Sequence, residues 1–117
     1  MWVEYFRGGQ KSEDAAAYIE ESREIYISAI TIAEVYRFLL QHEQKLLAER
    51  LTHWMILRSI VVPVTKDIAL KAALLKQEHK FGLGDALIYA TALIQQVSLI
   101  SGDADFKGKT GVTYLGE

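Results

Sequence analysis

Three short apolar runs, Ile25-Tyr26-Ile27-Ser28-Ala29-Ile30, Ile60-Val61-Val62-Pro63-Val64 and Val97-Ser98-Leu99-Ile100, are separated by longer segments with helical periodicity. Short runs rich in β-branched and aromatic residues are strand signals. Strands that alternate with single or paired helices require crossover connections, which specify an α/β domain with a parallel sheet. The runs show no polar alternation, as befits strands covered by helices on both faces. Pro63 cannot donate to a ladder, so the second strand lies at an edge or ends there.

The intervening segments read as helices. Glu13 to Arg23 follows Ser12 as N-cap, and Thr31 opens a helix running from Ile32 to about His42, with Ile32, Val35, Tyr36 and Leu39 on one face. Gln44 to Ser59 carries Leu47, Leu51, Trp54, Met55 and Leu57 on its apolar side. Asp67 to Lys80 is amphipathic, Gly82 and Gly84 interrupt it, and Asp85 to Gln96 is nearly all apolar. Val112 to Leu115 is a weaker last strand. No linker or repeat divides the chain, so residues 1–117 form a single domain. With no cysteine, thiolate chemistry and disulfide stapling are excluded. No segment approaches the ~18 apolar residues of a membrane span, and the expected location is the cytoplasm. Thirteen Lys and Arg against fifteen Asp and Glu give a net charge of −2, which argues against broad electrostatic wrapping of nucleic acid and leaves room for a local basic rim around an acidic site.

Ligands of open parallel sheets bind beyond the carboxyl ends of the strands. Glu34 follows the first strand by one helical turn, Asp103 follows the strand ending at Ile100, and Asp85 opens the helix feeding that strand. All three carboxylates are thereby directed to one edge. Unit charges about 4 Å apart repel by about 4 kcal/mol near a protein surface. Such a cluster is costly without a cation or bound protons, and hard divalent ions prefer oxygen donors. His42, His53 and His79 lack paired zinc spacing, so the implied chemistry is phosphodiester hydrolysis assisted by a hard divalent metal such as Mg²⁺.

With these residues in place, the chain resembles the PIN-domain family and, within it, the VapC-type toxin ribonucleases. Ser28-Ala29-Ile30-Thr31-Ile32-Ala33-Glu34-Val35 looks like its second acidic motif, and Gly84-Asp85-Ala86-Leu87-Ile88-Tyr89-Ala90-Thr91-Ala92 like its third. Leu99-Ile100-Ser101-Gly102-Asp103-Ala104-Asp105-Phe106 is similar to the fourth, with Asp103 as the acid and Ser101 as the small hydroxyl beside it. The resemblance implies a three-layer α/β/α domain with a central parallel sheet that cuts RNA with Mg²⁺ or Mn²⁺. It implies Glu34, Asp85 and Asp103 as catalytic metal ligands, a homodimer, and a cognate antitoxin whose tail enters the acidic groove. The family's opening strand, with its first aspartate, has no counterpart before Trp2-Val3-Glu4-Tyr5-Phe6-Arg7-Gly8, which resembles the helix following that strand. The resemblance therefore implies a sheet without its first strand, through a truncated or misplaced start or through natural degeneracy.

Other readings of the same residues stand beside this one. Thr31 and Glu34 have capping-box spacing, Asp85 fits an N-cap or a first-turn acid, and Asp103 and Asp105 suit a Gly-flanked loop. Asp105 reads as a loop-structuring acid that could assist a second metal. Arg7, Lys107 and Lys109 are candidate phosphate contacts or plain solvated surface, and Trp54, Met55 and Tyr89 are packing or dimer-interface residues. The alternative function is a catalytically inactive binding module that keeps the dimer and antitoxin surfaces. A response-regulator-like phosphoacceptor shares the layout but lacks the required lysine on a later strand.

Overall fold

The computed structural model describes residues 1–8 and 10–115. Helices α1 (Trp2–Arg7) and α2 (Gln10–Glu21) lead into strand β1 (Tyr26–Ser28), followed by α3 (Ala29–His42) and α4 (Lys45–Arg58). Strand β2 (Ile60–Val62) precedes α5 (Lys66–Glu78) and α6 (Leu83–Gln95), then β3 (Leu99–Ser101), a 3-10 turn (Ala104–Phe106) and β4 (Val112–Tyr114). The fold is α/β with parallel strands, as the alternation requires. No helix among the described residues is long and apolar enough to cross a membrane.

Local chemistry moves several boundaries. Ser28, in extended conformation, accepts a 3.1 Å hydrogen bond from the Ile30 amide, so α3 starts at Ala29 and absorbs two residues expected in the strand. Thr31 then lies inside the helix, and the Thr31–Glu34 capping box does not form, since the orphan amides of the first turn lie upstream of it. Ser12 is likewise within α2 instead of capping it. Strand β2 ends at Val62, where Pro63 removes the donor. Thr65 caps α5 by accepting from the Ile68 amide at 3.2 Å. Gly82, not Asp85, is the N-cap of α6, and Gly84 sits inside its first turn.

The strands pair in parallel, β1 with β2 from Tyr26↔Ile60 to Ser28↔Val62, and β3 with β4 from Leu99↔Val112 to Ser101↔Tyr114. Among the described residues these are two separate two-stranded ladders instead of one continuous central sheet. Residues of both β1 and β3 line one cavity of about 620 Å³, with Trp2 and Val35 on its apolar wall and Glu34, Asp85 and Asp103 also lining it. Trp2 is buried, and its indole Nε1 has no hydrogen-bond partner.

There are two apolar clusters, and the β1–β2 ladder contributes to both, Ile27 to one and Val62 to the other. One joins Trp2, Ile19, Ile25, Ile27, Val35, Leu39 and Met55. The other joins Val62, Ile68, Leu75, Phe81, Tyr89 and Phe106. Helix α4 packs through Ala48, Thr52 and Met55, spaced i, i+4, i+7, so Leu47 and Leu57 face outward, contrary to the side expected for them. Met55 and Tyr89 are buried, and Trp54 is half-exposed with its ring stacked on Tyr5 at 5.9 Å between centroids. Arg58 ties α4 to α2 by donating to the carbonyls of Ile19 and Ser22 at 2.6 and 2.5 Å.

Candidate metal centre

The acids stand beyond the carboxyl ends of β1 and β3. Asp85 reaches this edge because α6 begins there, with its first turn carrying that acid. Beyond β3 the chain turns in two steps. Ser101 Oγ accepts from the Asp103 amide at 3.1 Å, and Asp103 Oδ1 accepts from the Asp105 amide at 2.9 Å, which caps the 3-10 turn. The loop-structuring bond expected of Asp105 is thus made by Asp103. Ser101 is buried, while Asp103 and Asp105 are exposed.

Asp85, Asp103 and Asp105 each offer one carboxylate oxygen, and these three atoms lie within 4.8 Å of one another. Glu34 is outside that trio. Its Oε2 lies against the backbone of Gly84, only 2.8 Å from where a Cβ on Gly84 would stand. The structure therefore brings together two of the three acids singled out in the sequence, adds Asp105, and sets Glu34 on their flank. Asp105 lies two residues after Asp103, and a turn closing between them is what lets an i, i+2 pair share one site.

Electrostatics agrees with crowding. Partial burial pushes the Asp85 carboxyl above its ordinary range, and the charges of Asp103 and Asp105 push it further. Glu34 is raised by desolvation and then by Asp85. No ion pair among the described residues neutralises these acids. Lys109, a candidate phosphate contact, holds its ammonium over the Phe81 ring at 6.0 Å, and the Lys107 ammonium lies 5.7 Å from the Tyr114 ring centroid. An all-carboxylate donor set fits a hard divalent ion that keeps part of its water, as Mg²⁺ and Mn²⁺ do, better than it fits zinc.

The PIN domain profile matches residues 1–111. The fold is similar to a chain of a toxin-antitoxin complex from Klebsiella pneumoniae, at 30% identity and a TM-score of 0.79, covering 98% of this chain and 92% of that one. It is also similar to a chain of VapBC2 from Rickettsia felis, solved with a DNA fragment from its promoter, at 15% identity and a TM-score of 0.72. That likeness covers 96% of this chain and 89% of that one and concerns the fold alone. No curated protein matches the chain significantly.

Proposed function

The chain belongs to the PIN domain family, and on that premise we propose that it is the ribonuclease toxin of a toxin–antitoxin pair, acting with Mg²⁺ or Mn²⁺. The observation that carries this reading is the trio of Asp85, Asp103 and Asp105, three hard donors within 4.8 Å, with no ion pair to them among the described residues. Asp85 and Asp103 hold the cation, with Asp105 as a third donor and Glu34 beside them. When bound, the ion supplies Lewis acidity, offsetting charge on the scissile phosphate and acidifying a water molecule.

The chain's own residues do the positioning. Ser101 fixes the Asp103 backbone, and Asp103 fixes Asp105, so the pair is preorganised by two local hydrogen bonds. Glu34 lines the same cavity edge as Asp85 and is placed to accept the proton that an attacking water gives up. The substrate is RNA. The partner is a cognate antitoxin that covers the acidic edge, a reading supported by the similarity to a chain of a toxin-antitoxin complex at 30% identity. Leu57, Leu70 and Leu74, each at least 60% exposed, supply apolar surface for a homodimer in the cytoplasm.

The test is cleavage of end-labelled single-stranded RNA with Mn²⁺ or with EDTA, by the wild type and Asp103→Asn. Cutting that requires Mn²⁺ and disappears in the variant supports the proposal. Cutting that persists in EDTA refutes the metal role, and no cutting with antitoxin binding retained indicates the inactive binding module.

A further inference from the structure

Gly84 occupies the second position of α6, where its φ is not positive, so its backbone conformation does not require glycine. Alanine is the better helix former there, which makes the missing side chain a matter of space. A Cβ on Gly84 would lie 2.8 Å from Glu34 Oε2, 3.8 Å from Glu34 Cδ and 3.9 Å from Ile30 Cγ2. Gly82, two residues earlier, has nothing within 4 Å of the same point. The carboxylate of Glu34 thus lies in the volume that a side chain at position 84 would fill.

We propose that Gly84 is a positioning residue: its bare backbone is the seat that lets Glu34, arriving from α3, hold its carboxylate beside Asp85. The atom in conflict is the far end of a flexible side chain, so a methyl group at position 84 displaces Glu34 and leaves α3 and α6 where they are. The effect falls on the acidic site while the fold is kept. This inference rests on the metal-site reading for its functional consequence, but its structural content stands independently.

The experiment uses Gly84→Ala, with Gly82→Ala as the control that adds the same methyl group where space is open. The expected result is a melting temperature for Gly84→Ala equal to or above the wild type, with Mn²⁺ affinity by titration calorimetry reduced about tenfold or more. Adding Glu34→Asp to Gly84→Ala shortens the side chain by one methylene, removes the conflict and recovers part of the affinity. In the metal-free crystal structure of Gly84→Ala, the Glu34 carboxylate is swung away from residue 84 over unchanged helices. Wild-type Mn²⁺ affinity in Gly84→Ala overturns the proposal, as does a structure in which Glu34 stays and the helices part. If the wild type itself binds no Mn²⁺, the metal reading fails, and the position of Glu34 in the variant crystal decides the matter.

Discussion

Replacing Asp85 by Asn should stabilise the metal-free protein, the reverse of the usual effect of a substitution at a half-buried site. The Asp85 carboxylate has oxygens of Asp103 and Asp105 within 4.8 Å. At that separation each pair of charges repels by about 3.5 kcal/mol at an effective dielectric of about 20 and by about 1 kcal/mol in water. Asp103 and Asp105 are exposed, so the screened end applies, giving about 2 kcal/mol for the two neighbours together. Against this, Asp85 lies in the first turn of α6 and loses a favourable dipole interaction of about 0.3–1 kcal/mol on neutralisation. Repulsion is larger, and the net gain is about 1 kcal/mol, or about 4 °C in melting temperature for a chain of this size.

The pH dependence follows from the direction of the shift. Because the Asp85 and Glu34 carboxyls are raised in the folded state, that state binds their protons more tightly than the unfolded chain does. Stability of the metal-free wild type therefore falls as pH rises from the ordinary carboxylate range through the raised values. The advantage of Asp85→Asn disappears at pH below that window. Saturating Mn²⁺ reverses the order, because the wild type gains about 2.7 kcal/mol at a hundredfold excess over its dissociation constant while the variant loses a ligand. Thermal melts in EDTA and in Mn²⁺ at several pH values measure all of this. A variant that melts below the wild type in EDTA at pH 7.5, or that gains as much from Mn²⁺, refutes the reasoning.

Two further outcomes are expected. Arg58→Ala removes a charged donor from the carbonyls of Ile19 and Ser22 and should lower unfolding stability by about 2 kcal/mol in denaturant titration, with Arg58→Lys recovering only part; wild-type stability in Arg58→Ala would show those bonds to be idle. In β3, the Leu99 amide and the Ser101 carbonyl bond towards β4, so by alternation the Ile100 amide points away from that ladder into the cavity. Hydrogen exchange should be much faster at Ile100 than at Leu99, and equal protection at both would mean that this edge is covered.

Much of the fold was legible because its signals are local. The β-branched runs, the Pro63 stop and the apolar spacing of α3 lie within a few residues of what they specify. Choosing between neighbouring caps is harder, since Ser28 and Thr31 are both competent. The structure selects Ser28, whose extended backbone lets its hydroxyl meet the Ile30 amide, and this frees Glu34 from a capping role.

The sequence by itself determined the order of elements, the parallel α/β class and the placement of Glu34 and Asp103 just beyond strand ends. It could do so because side-chain period, capping and missing donors act over one or two turns of chain. Only the tertiary structure decided that Asp85 meets Asp103 and Asp105 while Glu34 seats against Gly84, and that the strands divide into two ladders around a cavity. Those outcomes depend on how α6 lies against α3 and the ends of the strands. That packing is set by two apolar clusters drawn from distant parts of the chain, which no local pattern encodes.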